Sequence, residues 1–296
     1  MRGEDLKSLF PQDERRAGAI LGLAVGDALG ATYEFCSPEE TPDEPLEMTG
    51  GGWLGLKPGE TTDDTALARA VLEGYEENGA LNLHRVREAM LRWQDTDPKD
   101  IGNQTRKALD YLRVHPDVLS LPEEPDAQSN GAVMRAASHG LMARSPEEAV
   151  ENAWVEAALT HPSEIAKASS ALVAGATACL IEAKTPANAV ETAFSEIEHR
   201  IKPGMDLKAV FRLPEIQDVL EAYPSDHQRW GWTIYTTRLG LGFLFKAHDF
   251  RSGLEEVVRL GGDADTNGAV AGALLGARFG VGSIPPEWLR DLKRQG

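Results

Sequence analysis

Cysteine is scarce in this chain: Cys36 and Cys179 are the only two in 296 residues, far apart and without a C-x-x-C pair. That argues against a disulfide framework and a cysteine zinc site, and two free thiols suit a reducing compartment. Positive charge is also short. There are 30 Lys and Arg against 47 Asp and Glu, a formal net charge of −17. A nucleic-acid binder normally shows a basic face, and this global excess of acid argues against non-specific DNA or RNA binding, so no nucleic-acid partner is expected. The acidic pairs Glu39-Glu40, Glu123-Glu124 and Glu147-Glu148 read as solvated surface. No apolar run approaches the ~20 residues of a membrane span. Met1 to Phe10 is charged and lacks the apolar stretch of a signal peptide. The expectation is a cytoplasmic protein with no membrane span. Alternating β-branched runs are nearly absent and no solenoid period is present, which leaves an all-α fold.

What the chain does have is helix punctuation. Residues 14–30 turn from polar to small and apolar, with Gly18, Gly22 and Gly26 on one stripe. Residues 265–279 repeat the pattern with Gly268, Gly272 and Gly276. Stripes of this kind permit close helix approach, so these two helices are expected to pack together in the middle of one domain spanning residues 1–296, with 1–13 a loose segment. Asp27, in an apolar helix end, is costly unless paired and reads as bonded to backbone N–H groups. Residues 37–62, rich in Pro and Gly, form a long loop, and loops of that length are often functional. Thr61 or Thr62 then caps a helix running to about Glu77. Further helices are expected over 83–94, 100–114, 130–143, from Ser145-Pro146 to about Thr160, and over 163–183. Others follow from Thr185-Pro186 to about His199, then over 205–222, 231–246, 250–260 and 285–290. The tryptophans Trp53, Trp93, Trp154, Trp230 and Trp288 read as core or loop anchors.

Two stretches from opposite ends carry paired carboxylates beside hydroxyls at helix starts: Thr62-Asp63-Asp64 and Asp263-Ala264-Asp265-Thr266. All six side chains of interest (Thr62, Asp63, Asp64, Asp263, Asp265 and Thr266) are hard oxygen donors, with no His or Cys among them. They suit Mg²⁺, Mn²⁺ or Ca²⁺ rather than zinc or copper. Four carboxylates packed together need cations between them, and two divalent ions would neutralise them. The spacing alone leaves a second reading open, in which both stretches are merely capped helix starts.

Other motifs join these in one order along the chain: Gly26-Asp27-Ala28-Leu29-Gly30 with Tyr33-Glu34, and Gly50-Gly51-Gly52-Trp53 before Thr62-Asp63-Asp64-Thr65. Then come Ser129-Asn130-Gly131-Ala132 with Met134-Arg135, and Thr160-His161-Pro162. Last is Gly261-Gly262-Asp263-Ala264-Asp265-Thr266-Asn267. Together they resemble the ADP-ribosylglycohydrolase family. The loop before Thr62 and the stretch Asp100 to Thr105 look most like its bacterial dinitrogenase reductase-activating branch. The resemblance implies an orthogonal all-α bundle whose cleft holds two divalent cations, Mg²⁺ or Mn²⁺. It implies metal binding by Thr62, Asp63, Asp64, Asp263, Asp265 and Thr266, with Asp64 also at the catalytic centre. It further implies Glu34 as a group beside the metals, Asp100 as general base, and Ser129, Asn130 and Gly131 on the diphosphate and ribose. His161 would line the cleft, and Trp232 would stand near the substrate.

The activity so implied is hydrolysis of the bond between ADP-ribose and a modified protein, most readily at arginine, whose guanidinium leaves with little or no acid assistance. ADP-ribose is the product. Serine-linked ADP-ribose, poly-ADP-ribose or a free ADP-ribosylated small molecule are alternative substrates, and for a serine alcohol Glu34 is the candidate acid. A catalytically silent binding or structural relative is the non-enzymatic alternative. It would have no need of all four aspartates and both threonines.

Overall fold

The computed structural model describes residue 6 and residues 8–202, 205–211 and 217–293. Among them the chain forms helices α1 (Glu14–Gly30), α2 (Asp63–Glu73), α3 (Leu83–Gln94), α4 (Asn103–Val114), α5 (Ala137–Met142), α6 (Pro146–Ala157) and α7 (Glu164–Ile181). They are followed by α8 (Pro186–Ile197), α9 (Leu207–Phe211), α10 (Gln217–Ala222), α11 (Thr233–Lys246), α12 (Phe250–Val258), α13 (Ala264–Phe279) and α14 (Pro286–Lys293). Only isolated bridges, and no strand, occur among the described residues, so the all-α expectation holds. Of the expected loose segment 1–13, residues 1–5 and 7 lie outside the described residues, while Leu6 is fully buried in the core.

The helix starts follow their caps. Asp13 accepts from the backbone of Arg15 and Arg16 to open α1, and Ser145, Ser163 and Thr185 each accept from the third residue onward to open α6, α7 and α8. Several expected helices end early. α2 stops at Glu73: Gly74 N–H donates to Val71 O, three residues back, and Gly74 O accepts from Asn82 N–H of the following turn, with Gly74 packed where a β-carbon would sit 2.1 Å from Val86 Cγ2. The expected helix over 130–143 is reduced to a short 3-10 turn, Val133–Arg135, and then α5. Asn130 O still accepts a helical bond from Met134 N–H, but Gly131 O accepts from the Arg135 guanidinium. The expected helix over 205–222 is α9 and α10, with 212–216 outside the described residues.

The centre of the fold is the antiparallel pair α1 and α13. Their glycines meet in register: a β-carbon on Gly18 would fall 2.3 Å from Gly276 O, on Gly22 2.1 Å from Gly272 O, and on Gly26 1.9 Å from Gly268 O. The reverse additions at Gly268, Gly272 and Gly276 would meet Gly26, Gly22 and Gly18 at 2.0–2.4 Å. The two backbones therefore touch, as the two stripes imply. α7, α11 and α12 pack on α13, while α5, α6 and α8 pack on α7. α7 is the one described helix long and apolar enough to cross a membrane. Leu172, Val173, Ala176 and Leu180 within it are fully enclosed by the protein core.

The glycine zipper also positions acidic side chains. Because α1 and α13 run in opposite directions, the end of α1 lies at the start of α13, with Gly30 against Ala264 and Asp265. The loop leaving that end carries Glu34, and the helix entering it carries Asp265.

Candidate active site

Asp27, in the last turn of α1, is fully buried. It accepts from the Thr62 backbone N–H at 2.9 Å and the Thr62 hydroxyl at 3.0 Å. From Thr65 it accepts the backbone N–H at 3.0 Å and the hydroxyl at 2.5 Å. One carboxylate thus satisfies the unpaired donors at the start of α2 and fastens that helix to α1. Burial pushes Asp27 up to about 6, with the Thr65 hydroxyl opposing the rise. The same helix end, α1, is therefore tied to the start of α2 by Asp27 and to the start of α13 by the glycine zipper.

This brings the two acidic stretches together. The Thr62 hydroxyl shares its one proton between Asp27 Oδ1 and Asp64 Oδ2, which lies 3.1 Å away, and the Thr266 hydroxyl donates to the same Asp64 Oδ2 at 3.3 Å, so hydroxyls from both stretches converge on one oxygen. Asp64 Oδ1 is buried and has no hydrogen-bond partner. Asp263 Oδ2 accepts from Asn130 Nδ2 at 2.8 Å, and Asn130 Nδ2 also donates to Thr236 Oγ1. The Asp263 backbone N–H donates to the Tyr223 hydroxyl at 2.9 Å. Gly261 and Gly262 both take positive φ, and Phe35 N–H donates to Gly262 O while Gly262 N–H donates to Cys36 O. That exchange clips the Glu34 loop to the Asp263 loop.

A cleft of about 580 Å³ opens over this cluster. Glu34, Asp63, Asp100, Asp263, Asp265 and Thr266 line one part of it, and Ser129, Asn130 and Gly131 line another. Carboxylate oxygens of Glu34, Asp100 and Asp265 lie within 4.8 Å of one another. Thr62 and Asp64 stand behind this wall, with Asp64 fully enclosed. His161 also stands behind it: its ring is buried, with Nε2 2.8 Å from Ser129 Oγ and Nδ1 2.8 Å from Thr160 Oγ1. Burial first, and the nearby Arg135 charge second, depress His161 to about 3, so it is neutral. Trp232 lies apart from the acidic cleft. It faces an adjoining recess with Arg229 and Gln128, and its indole N–H donates to Gln128 Oε1.

Two aromatic side chains that no motif marks as wall residues, Trp53 and Phe35, stand on the cleft wall. Trp53, expected as an anchor, is 55% exposed; its indole N–H donates to Glu34 Oε2, and its ring lies 5.4 Å from that of Phe35, itself 52% exposed. The flanking glycines leave Trp53 little to pack against locally, but they do not say which surface it joins. Trp288 fits the anchor reading, with 1% exposure and its N–H on Leu46 O.

The electrostatics suit cations. Burial, reinforced by the neighbouring carboxylates, pushes Glu34 up to about 9 and Asp100 to about 6, and holds Asp63, Asp64 and Asp265 well above the carboxylate range. Helix N-termini of α2 and α13 favour negative charge here, yet burial and mutual repulsion outweigh them. Hard oxygen donors, a buried carboxylate oxygen without a partner and closely spaced acids are what a divalent cation would satisfy.

Each of these acids has a folded pKa above its unfolded value, so their ionisation opposes folding. The cation-free protein is favoured at low pH and loses stability as pH rises through the folded values, between about 4 and about 9. In chelator, the melting temperature is expected to fall by more than about 5 °C from about pH 5.5 to about pH 8.5. Added Mg²⁺ or Mn²⁺ should recover more of it at the higher pH. A melting temperature in chelator that stays level across that window would contradict this reading.

Comparison with known proteins agrees with the geometry. Residues 11–296 match the ADP-ribosylglycohydrolase family. The chain is 33% identical over 288 residues to ADP-ribosyl-[dinitrogen reductase] glycohydrolase of Rhodospirillum rubrum, covering 94% of this chain and 90% of that one. It is 29% identical over 298 residues to the ADP-ribosylarginine hydrolase Tri1 of Serratia proteamaculans, covering 97% and 78%. A solved structure described as an ADP-ribosylglycohydrolase-related protein complex superimposes with a TM-score of 0.76 at 30% identity, covering 95% of this chain and 98% of that one. On the strength of its ordered motifs, its helical fold and these matches, the chain belongs to the ADP-ribosylglycohydrolase family.

Proposed function

We propose that this protein hydrolyses the N-glycosidic bond between ADP-ribose and a modified arginine side chain of a protein, with two divalent cations, Mg²⁺ or Mn²⁺, in the acidic cleft. The observation that carries the proposal is the convergence of Asp63, Asp64, Asp263 and Asp265 from two helix starts, with Thr62 and Thr266 both bonded to Asp64. Thr62, Asp63, Asp64, Asp263, Asp265 and Thr266 would hold the cations. Bound there, divalent cations supply fixation of the ribose hydroxyls and activation of water.

The chain's own groups do the rest. Asp100, on the cleft wall, accepts a proton from the attacking water as its oxygen bonds to the anomeric carbon. Its carboxyl titrates at about 6 even without a cation, and a neighbouring cation lowers it further, so it is ionised at neutral pH. The carbon–nitrogen bond breaks as the sugar passes through an oxocarbenium-like state, and its electron pair leaves with the guanidine, which needs no acid. Asn130, held by Asp263 and Thr236, and Ser129 and Gly131 line the wall that receives the rest of ADP-ribose. The two free thiols suit a reducing cytoplasm as the place of action.

Peptides carrying ADP-ribose on arginine or on serine separate the readings. Release of ADP-ribose from arginine, at least tenfold faster than from serine, is expected in the presence of Mg²⁺ or Mn²⁺. Release from serine alone would overturn the assignment and move Glu34 into the role of leaving-group acid. Release from neither, with ADP-ribose still bound, would favour a silent binding relative.

A further inference from the structure

Behind the wall formed by Ser129 and Gly131 runs a line of buried polar groups with no part in the hydrolytic chemistry. Arg135 is fully enclosed and paired with Glu156, also enclosed, through Nε to Oε1 at 3.0 Å. Its other two nitrogens donate to Gly131 O at 2.5 Å and Thr160 Oγ1 at 2.7 Å. Thr160 Oγ1 lies 2.8 Å from His161 Nδ1, and His161 Nε2 lies 2.8 Å from Ser129 Oγ, on the cleft wall. The ring reaches Ser129 only because position 131 is glycine: a β-carbon there would fall 2.8 Å from His161 Cε1 and 3.1 Å from Nε2.

Counting protons along this line fixes its direction. Arg135 can only donate, so Thr160 Oγ1 accepts from it. The Thr160 hydroxyl proton then needs an acceptor, and among the described residues the one other partner of that oxygen is His161 Nδ1. If Nδ1 carried the proton of the neutral ring, the enclosed Thr160 hydroxyl proton would be left without an acceptor, which a buried donor rarely tolerates. The favoured arrangement therefore has Thr160 donating to a bare Nδ1, the proton on Nε2, and Nε2–H donating to Ser129 Oγ. Ser129 Oγ then accepts from behind, which leaves its own proton to point into the cleft.

We infer that Arg135 is a positioning residue that acts through Thr160 and His161 to present the Ser129 hydroxyl as a hydrogen-bond donor to an acceptor-rich, anionic part of the substrate, the diphosphate of ADP-ribose. The identity of that ligand rests on the proposed arginine-directed hydrolysis; the direction of the relay does not. Arg135 also holds Gly131 O, so the short Ser129–Gly131 wall is pinned from behind at both ends.

The test begins with the full chain, free of ligand and labelled with ¹⁵N at histidine, with His161 assigned by the signal lost in His161→Gln. Expected is a neutral ring protonated at Nε2. Arg135→Met would strand Glu156, so two gentler variants are used. Thr160→Val keeps the shape and removes the hydroxyl, and Arg135→Lys keeps the charge but cannot span three acceptors. Both are expected to give an Nδ1–H population, whereas Thr160→Ser, which keeps the hydroxyl, should retain the Nε2–H ring. In Mg²⁺ buffer, Thr160→Val and Ser129→Ala should each weaken ADP-ribose binding about tenfold by calorimetry, the double variant no more than either alone. A ring protonated at Nδ1 in the unaltered protein, or losses that multiply in the double variant, would overturn the inference. If the Nε2–H ring is seen but ADP-ribose does not bind the unaltered protein, the proposed function fails and the relay stands without its assigned ligand.

Discussion

Replacing Asp265 with Asn is expected to lower release of ADP-ribose from arginine-modified protein, the substrate proposed above, by about 10³-fold or more, a loss of roughly 4 kcal/mol of transition-state stabilisation. Asp265 stands on the cleft wall, buried, its carboxylate within 4.8 Å of those of Glu34 and Asp100. An amide keeps its size and its oxygen but removes the charge that a divalent cation would need. The same variant has a second signature of opposite sign. Asp265 is pushed well above the carboxylate range by burial first, then by Glu34, Asp263 and Asp64. Taking one charge out of that group relieves repulsion, so Asp265→Asn should melt at a higher temperature than the unaltered protein in chelator near pH 8. It should also lose most of the stabilisation that Mg²⁺ or Mn²⁺ gives. Asp63→Asn is expected to behave alike. Loss of activity together with loss of stability in chelator would instead point to a structural role, and undiminished activity would remove Asp265 from the site.

Gly272→Ala is the second large effect, and here the sign itself is informative. On helix propensity alone, alanine in mid-helix gains about 1 kcal/mol over glycine. In α13 its β-carbon would lie 2.1 Å from Gly22 O and 2.8 Å from Gly22 C, backbone atoms that cannot step aside singly. The helices must separate, an overpacking cost of about 3 kcal/mol or more, so a net destabilisation is expected in denaturant unfolding. Because the zipper also sets where Asp265 meets α2, the variant should lose activity and cation affinity even where it remains folded. Gly282→Ala, whose β-carbon would find nothing nearer than 3.9 Å, serves as the comparison and should change stability by less than about 0.5 kcal/mol. A neutral or stabilising Gly272→Ala would contradict the backbone contact between α1 and α13.

These two effects show which parts of the molecule were legible in the sequence. The glycines at every fourth position on two distant helices announced their pairing, because only residues without side chains allow such approach. Helix starts at Thr62, Ser145, Ser163 and Thr185 were legible because each is a local choice of one side chain against a few backbone donors. Ends were less so. α2 stops short at Gly74, whose carbonyl is taken by Asn82 N–H and which packs against Val86 of the following helix, contacts that no local pattern carries. The helix expected from Asn130 gives way to a 3-10 turn where the buried Arg135 side chain bonds Gly131 O, a partner set by the fold around it. Whether the carboxylate pairs were caps or one cluster was not decidable from spacing. It depended on Asp27 fastening α2 to α1, and on the register of α1 against α13. Asp27 itself was legible as a structural acid, since a carboxylate at an apolar helix end must find donors. Trp53 and Phe35 were not legible as cleft wall. Exposed aromatics beside the acids arise from loop paths through residues of positive φ, Phe35 among them, and such paths are set by the surrounding fold.

The most direct measurement of the two joined acidic stretches is a diffraction experiment on crystals soaked with Mn²⁺, recorded near the manganese absorption edge. Two anomalous peaks in the cleft are expected, bounded by Thr62, Asp63 and Asp64 on one side and Asp263, Asp265 and Thr266 on the other, and both should vanish in Asp265→Asn. A cleft without anomalous signal at saturating Mn²⁺, in a protein that still releases ADP-ribose in chelator, would contradict it.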